Sequence, residues 1–272
     1  MTKISISNIA WQVQHDAQVR DLLSKYDVSY VDLAPSKYVD TKRPLNMSDV
    51  QRVKDFWLSS GICPLGMQSL LFGTEGLNVF GDTATQDRML SHLDRICAIG
   101  DALGARLLVF GSPRNRDCSG LEKKDIHDTA VSFFRRLGDI ARKHDVTVCL
   151  EPNPTRYNAN FMTTSTETAN VVQAVNHENI KMQLDTGAMC INSEDQASTL
   201  ERVKDYIGHI HISEPDLVPV CQNNDYQERL APLIKKHFPN MPITIEMLTK
   251  KSDLVLDDIE ESIRYVTELY QG

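Results

Sequence analysis

Eight short runs rich in Val, Ile and Leu recur along the chain, and longer segments with helical spacing separate them. The runs are residues 4–10, 28–34, 62–68, 106–111, 146–151, 180–185, 207–212 and 243–246. Such short, nearly continuous apolar runs are typical of parallel strands that helices cover on the outside. A strand followed by a helix, repeated eight times, predicts an α/β fold that closes into a single (β/α)₈ TIM barrel.

The segments between the runs have the apolar spacing of amphipathic helices. Apolar stripes three and four residues apart occur within 50–57, 90–97 and 133–141, as expected for helices that bury one face. Further helices are predicted at 168–175, 200–206, 229–237 and 254–270. Ser193 and Ser252 are candidate N-terminal caps for two of these later helices.

The alternative arrangement for alternating strands and helices is an open, doubly wound sheet. No GxGxxG or GxxxxGKS phosphate loop follows the first run, which argues against a nucleotide-binding sheet. No Pro/Gly/Ser-rich tract marks a domain boundary, and the 272 residues suit one barrel of about 250 residues. We therefore expect one domain over residues 1–272.

Charge and composition limit the partners that the chain is expected to have. The formal net charge is −8, which weakens the case for binding to a nucleic-acid backbone. No apolar stretch approaches the roughly 18 residues that span a membrane, and the start of the chain lacks an apolar signal sequence. The six cysteines are scattered without a CxxC pair. We expect a cytoplasmic protein with reduced thiols and no membrane or nucleic-acid partner.

Polar residues close four apolar runs that are expected to be neighbouring strands. In barrels of this type, the chemistry lies at the C-terminal ends of the strands. One strand-end carboxylate alone usually caps a helix or joins an ion pair, but four polar residues at the same end can share one explanation. Three carboxylates and an imidazole suit one Mn²⁺, Mg²⁺ or Co²⁺ ion, with Zn²⁺ possible. The four candidate metal ligands are Glu151, Asp185, His211 and Glu246.

The order of the motifs EPN, LDTG, HIH and IEM, after SNIAW in the first run, resembles the xylose isomerase-like barrel superfamily. Within it the chain is similar to the sugar isomerase and epimerase branch, which includes ketose 3-epimerases, hydroxypyruvate isomerase and inosose dehydratase. The resemblance covers nearly the whole chain, and it lies in the order and spacing of short motifs. It implies metal ligation by the same four residues and a second, acid/base role for Glu151 and Glu246. Members of the family often form dimers or tetramers, so a homo-oligomer is expected.

The reaction implied by this resemblance is proton transfer beside a carbonyl group. A hydrogen on that carbon is weakly acidic, and its removal becomes feasible when a metal and fixed donors stabilise the enediolate. One glutamate would remove the proton, and the other would return a proton on the opposite face of the sugar. The expected function is a metal-dependent sugar isomerase or epimerase of carbohydrate metabolism.

Five further residues are candidate substrate contacts. Gln68 ends the third run, and Asn153 and His209 lie two residues from Glu151 and His211, so they share the same strand faces. For His209 a position in the barrel interior is an equal alternative. Tyr157 lies where related epimerases place a contact to the sugar. Arg114, in GSPRNR, could meet a carboxylate or phosphate, or form a loop ion pair. Arg116 of the same loop is a second cation that could do either.

The loops predicted at the mouth of the barrel, the end where the strands terminate, bear on the charge and identity of the substrate. The loops after the last two runs start SEPD and MLT and lack glycine, which favours an unphosphorylated sugar or polyol. The apolar, glycine-containing segment 69–82 is predicted to form a lid or, through Phe72 and Phe80, a subunit contact. Ala188 stands where ketose 3-epimerases have a histidine that contacts the sugar. The identity of the sugar therefore stays open.

Three other functions remain to be compared with the sugar epimerase. A dehydratase acting on an inosose-like keto-polyol starts with the same proton abstraction, so the four ligands do not separate it from an epimerase. An apurinic endonuclease of the superfamily needs several more histidines at the mouth. The chain has eight histidines, mostly outside the strand ends. Gln68 and Ala188 stand at two positions where the nuclease pattern requires a histidine. A non-catalytic sugar-binding barrel would not need both Glu151 and Glu246 at one metal.

Overall fold

The computed structural model describes residues 2–41, 43, 45–221, 224–249 and 255–272 of the chain. Eight parallel strands form one sheet in sequential order, and β8 pairs with β1 to close it. The predicted (β/α)₈ barrel is confirmed. The strands are β1 (Ile4–Ser7), β2 (Tyr30–Leu33), β3 (Cys63–Met67), β4 (Leu107–Phe110), β5 (Thr147–Leu150), β6 (Ile180–Asp185), β7 (Ile207–Ser213) and β8 (Ile243–Glu246).

Nine α-helices lie within the described ranges, and two of them follow β6. They are α1 (Asp16–Lys25), α2 (Met47–Leu58), α3 (Thr83–Leu103), α4 (Lys123–Lys143), α5 (Ser165–Val175), α6 (Thr186–Ile191), α7 (Gln196–Val203), α8 (Asn224–His237) and α9 (Val255–Gln271). The helices at each predicted segment are therefore present. No helix of the described ranges is long and apolar enough to cross a membrane.

One of the two predicted helix caps is wrong, and the other lies outside the described residues. Ser193 does not cap α7, because the side chain of Asp195 accepts a hydrogen bond from the Ser198 amide at 2.9 Å and takes that position. Ser193 instead lies in the turn after α6 with a positive φ of 52°. Ser252, like Leu254 at the start of the last predicted helix, lies outside the described residues.

The first strand is shorter than the predicted run 4–10. It ends at Ser7, and Asn8–Ala10 form a 3₁₀ turn. The Ser7 hydroxyl accepts a hydrogen bond from the Ile9 amide at 3.4 Å, and Asn8 Oδ1 accepts one from the Ala34 amide at 2.7 Å. These polar side chains compete with strand pairing for backbone donors, which ends the strand early.

The interior of the barrel is polar near the ends of its strands. The Asp32 carboxylate on β2 bonds His209 on β7, and since β1 and β8 separate these strands, the contact must cross the inside of the barrel. Ser5, Gln183 and Thr244 are likewise fully buried on their strands. This interior differs from the branched apolar layers usual in TIM barrels. The apolar core lies mostly between the strands and the helices.

Candidate functional site

Four side chains from successive strands meet at the C-terminal end of the barrel. Each offers one ligand atom, and these atoms all lie within 4.8 Å of one another. The residues are Glu151 directly after β5, Asp185 at the end of β6, His211 in β7 and Glu246 at the end of β8. None is more than 8% exposed. The structure therefore brings together the four residues that the sequence predicts as metal ligands.

Burial and mutual repulsion control the protonation of this cluster. Burial, followed by the charges of Glu246 and Asp185, raises the pKa of Glu151 to about 8. Burial and Glu246 also raise the pKa of Asp185 to about 6. Burial alone would lower the pKa of His211 and raise that of Glu246, but their mutual attraction reverses both directions. His211 Nδ1 lies 3.3 Å from Glu246 Oε2.

The donor set fits one divalent cation. Neither ring nitrogen of His211 has a well-aligned hydrogen-bond partner among the described residues, although the ring is fully buried. Buried polar atoms normally have partners, and three crowded carboxylates need either protons or a cation to offset their charge. Oxygen donors with one imidazole, and no thiolate, suit Mn²⁺, Mg²⁺ or Co²⁺.

We expect the metal-free protein to lose stability as the pH rises from about 5 to about 8. Glu151 and Asp185 have raised pKa values in the folded chain, so the folded state holds protons that the unfolded chain has released in this range. Their stabilising contribution is complete below the unfolded pKa values and is lost as the pH passes about 6 and then about 8. Bound metal replaces these protons and should remove the decline.

Calorimetric unfolding between pH 5 and 8 measures this effect, with one series in chelator and one in saturating Mn²⁺. The difference in unfolding temperature between the two series should widen as the pH rises. A constant difference across this range would contradict the assignment of the raised pKa values to the metal cluster.

Amide side chains support both glutamates of the cluster. Gln68 Nε2 donates a hydrogen bond to Glu246 Oε1 at 2.7 Å, and Asn153 Nδ2 donates one to Glu151 Oε2 at 3.0 Å. Arg116 Nη1 in turn donates to the backbone carbonyl of Glu151 at 2.8 Å, and its other terminal nitrogen contacts Asn153 Oδ1. Arg116 is only 1% exposed. It therefore lies behind the site as a buried support, not in the loop as an anion-binding cation.

Asp185 is held in place by the start of α6. Its Oδ1 accepts hydrogen bonds from the Ala188 amide at 2.6 Å and from the Ser213 hydroxyl at 2.9 Å. Ser213 Oγ also accepts a bond from the Gly187 amide at 2.9 Å. The residue thus acts as helix cap and cluster member together, and its carboxylate has a fixed orientation.

Asp32 is a buried carboxylate that the sequence analysis missed. Its Oδ2 accepts a hydrogen bond from His209 Nε2 at 2.7 Å, its Oδ1 accepts one from Ser5 at 3.1 Å, and His211 Nε2 lies 3.8 Å from Oδ2. All three of Asp32, His209 and His211 are fully buried. His209 therefore lies below the cavity and not on its wall, so the structure favours the interior alternative over a substrate contact. The sequence did contain a signal for this residue, because Asp32 interrupts the apolar run YVDLA and a buried carboxylate needs a partner.

We expect Asp32→Asn to weaken Mn²⁺ affinity about tenfold or more. A neutral histidine that binds a metal through one ring nitrogen carries a hydrogen on the other, and Asp32 Oδ2 is the carboxylate oxygen facing His211 Nε2. Titration calorimetry of the metal-free protein measures the affinity. Asp16→Asn is the matched control, because Asp16 is also buried and accepts bonds from Trp11 and Tyr38 away from the cluster. Equal affinity changes in both variants would contradict a specific role for Asp32.

A cavity of about 840 Å³ lies above the cluster. Four of the five predicted substrate contacts, Gln68, Arg114, Asn153 and Tyr157, line this cavity, whereas His209 does not. Arg114 Nη2 donates to the Thr74 carbonyl at 2.7 Å. The rest of the wall is mainly apolar and includes Ile9, Leu70, Leu71, Phe72, Phe110, Ala188 and Leu217.

Within the described residues, two groups of side chains have spacings that suit a metal ion. One is the four-residue cluster, and the other is Asp32, His209 and His211, which shares His211 with it. The second group is already joined internally by the bond between His209 and Asp32. The described residues therefore do not provide the additional histidines that a multi-metal nuclease site requires.

Comparison with known proteins agrees with this architecture. D-psicose 3-epimerase of Ruminiclostridium cellulolyticum is 29% identical over 94 residues, which are 35% of this chain and only 32% of that relative. The structure of D-psicose 3-epimerase with D-tagatose from Clostridium cellulolyticum gives a TM-score of 0.81 at 15% identity, over 99% of both chains. AP endonuclease, family 2, from Brucella melitensis gives 0.74 at 17% identity, over 98% of this chain and 99% of its own. At these identities the two structures show the fold alone.

A family match covers most of the chain and confirms the predicted superfamily. Residues 21–269 match the family described as the xylose isomerase-like TIM barrel. The matched range contains seven of the eight strands and all four residues of the cluster. This chain belongs to the xylose isomerase-like TIM barrel family.

Proposed function

We propose that this protein is a divalent-metal-dependent sugar epimerase or isomerase. The observation that carries the proposal is the pair of buried glutamates, Glu151 and Glu246, which share one cluster and both line the cavity. Glu151 follows β5 and Glu246 ends β8, so the two side chains reach the cavity from different sides of the barrel. The name of the curated relative, D-psicose 3-epimerase, and that of the first structure support a sugar substrate.

The four residues of the cluster would hold the metal, and two of them would also move a proton. A bound divalent cation supplies Lewis acidity that polarises a carbonyl oxygen. Glu151 and Glu246 would take a proton from the carbon beside that carbonyl and return one from the opposite side. Gln68 and Asn153 each donate one N–H to a glutamate oxygen. These hydrogen bonds would fix the orientation of each carboxylate.

The charges of the cavity favour an uncharged sugar or polyol. Among the described residues that line it, five carry carboxylates and Arg114 alone carries a cation. Arg114 already donates to the Thr74 carbonyl, and Arg156, which does not line the cavity, offsets only Asp216. One divalent cation would offset only part of the remaining acidic charge. A phosphate or carboxylate on the substrate would therefore meet repulsion. This supports the predicted preference for an unphosphorylated substrate.

A screen for solvent hydrogen exchange tests the proposed function. The Mn²⁺-loaded protein is incubated in D₂O with ketoses and keto-inositols, and NMR and mass spectrometry follow the products. We expect deuterium at the carbon from which the proton is removed, either an inverted ketose or an aldose as the product, and no loss of water. Chelation should abolish the exchange. Loss of one water would instead identify the dehydratase alternative. In a parallel incubation with abasic-site DNA, cleavage would identify the nuclease. Either result, or the absence of exchange, contradicts the epimerase proposal.

A further inference from the structure

The wall of the cavity extends well beyond the candidate catalytic carboxylates. Gln68 contacts Glu246, and the chain then runs outward through residues 69–72, all of which line the cavity. Leu70 and Leu71 are 4% and 3% exposed, whereas Phe72 at the end of this path is 71% exposed. An apolar surface therefore leads from the cluster to an exposed aromatic ring at the mouth.

The loop that carries Phe72 is held firmly to the barrel. His92 Nε2 bonds the Leu70 carbonyl at 2.8 Å, and the Thr74 hydroxyl donates to the Leu71 carbonyl at 2.7 Å. Arg114 then bonds the Thr74 carbonyl. A backbone with this many bonds is a poor candidate for the predicted moving lid. The exposure of Phe72 is therefore a fixed property of the cavity mouth.

A second aromatic residue lies at the mouth on another loop. Tyr157, after β5, is 37% exposed and lines the same cavity. Its hydroxyl accepts a hydrogen bond from the Asp216 amide at 2.9 Å, which fixes the ring. Phe80, in contrast, packs against Phe161 of the same chain with ring centroids 4.9 Å apart. Among the described residues that line the cavity, Phe72 and Tyr157 are thus the aromatic rings with exposed surface, since Phe110 is fully buried.

The cavity is large for a single sugar ring. Its volume of about 840 Å³ lies toward the upper end of the roughly 300–1,000 Å³ typical of sites for drug-sized ligands. A monosaccharide placed at the carboxylates would leave the outer, apolar part to water. An aromatic surface binds best to an apolar face, and a sugar ring presents such a face through its C–H groups. The scarcity of cations makes an added phosphate unsuitable.

We infer that the natural substrate is a keto-sugar that carries a second, uncharged sugar ring at a position remote from its carbonyl. The keto-sugar would lie at Glu151 and Glu246, and the second ring would pack against the aromatic residues of the mouth, Phe72 and Tyr157. This inference rests on the proposed function and names the substrate class of that same site. The continuous wall from Gln68 to Phe72 supports it.

The test compares free ketohexoses with the same sugars that carry glucose on O6, which leaves the carbonyl free. D-Fructose and 6-O-glucosyl-D-fructose form the first pair. Deuterium exchange by the Mn²⁺-loaded protein should give a higher kcat/KM for the disaccharide. Phe72→Ser should raise KM for the disaccharide about tenfold, which corresponds to about 1.4 kcal/mol of lost contact, and should raise KM for the free ketose by a much smaller factor. Leu121→Ser is the control, since Leu121 is 42% exposed and does not line the cavity.

The possible failures are distinguishable. Exchange with free ketoses, without a gain for the disaccharides or with equal effects of Phe72→Ser on both classes, overturns the inference and leaves the proposed function standing. Exchange with neither class across the panel overturns the proposed function and the inference together. A response to Leu121→Ser equal to that of Phe72→Ser also overturns the inference.

Discussion

Glu246→Gln is expected to slow inversion of the substrate, followed in D₂O, by about a thousandfold or more. The substitution keeps the shape of the side chain, and Gln68 can still contact it, but the variant has no carboxylate to exchange the proton. The fold should remain, because the change introduces no larger group into the cluster. NMR of the exchange reaction at saturating Mn²⁺ measures the rate, and metal analysis of the same sample separates a lost base from a lost metal.

Glu194→Gln provides the matched control for this experiment. Glu194 is likewise a glutamate whose side chain accepts hydrogen bonds, here from the Ser165 amide and from Asn192, each at 3.1 Å. It lies between α6 and α7 and does not line the cavity, so its loss should leave exchange unchanged. Unchanged inversion by metal-loaded Glu246→Gln would defeat the assignment of Glu246 as one of the exchanging groups.

Gly111→Ala is expected to weaken Mn²⁺ affinity about a hundredfold and to lower the exchange rate with it. A Cβ atom at Gly111 would lie 1.6 Å from Glu151 Oε2, a distance that no side chain tolerates. The Glu151 amide bonds the Phe110 carbonyl at 3.1 Å, so the backbones of β4 and β5 are tied together and the carboxylate must move instead. Titration calorimetry measures the affinity, and calorimetric unfolding verifies that the barrel persists.

A double-mutant cycle shows whether this effect acts through Glu151. If Gly111→Ala works by displacing that carboxylate, it should change Mn²⁺ affinity little when Glu151 is already alanine. Full additivity of the two substitutions would show that the methyl group acts elsewhere. A wild-type affinity in Gly111→Ala would mean that the carboxylate position seen here is not required.

The barrel and its cluster could be predicted from sequence because both depend on local patterns. Each candidate ligand closes a short apolar run, and the geometry of a parallel barrel collects the strand ends at one rim. Glu151, Asp185, His211 and Glu246 therefore converge without any knowledge of individual contacts. Asn153 could be placed by the same logic, since it lies two residues after Glu151.

The supports of the site could not be predicted, because they depend on contacts between distant segments. Asp32 meets His209 across the barrel, and that approach is set by the register of eight strands. The sequence does not distinguish Gly111 from the other glycines among the 13 in the chain. Its requirement for a missing side chain shows only when the fold places the carboxylate of Glu151 beside it. The sequence also showed Arg116 as a loop cation, whereas the fold buries it behind Glu151.

One divalent cation is expected to bind where these four side chains meet. Titration of the metal-free protein with Mn²⁺, followed by electron paramagnetic resonance of the free ion, measures this binding. Wild-type protein should bind one tight Mn²⁺ per chain, and the variant with Asp185 and His211 both changed to Ala should bind none tightly. Absence of tight binding in the wild type, or undiminished binding in the double variant, would contradict the claim.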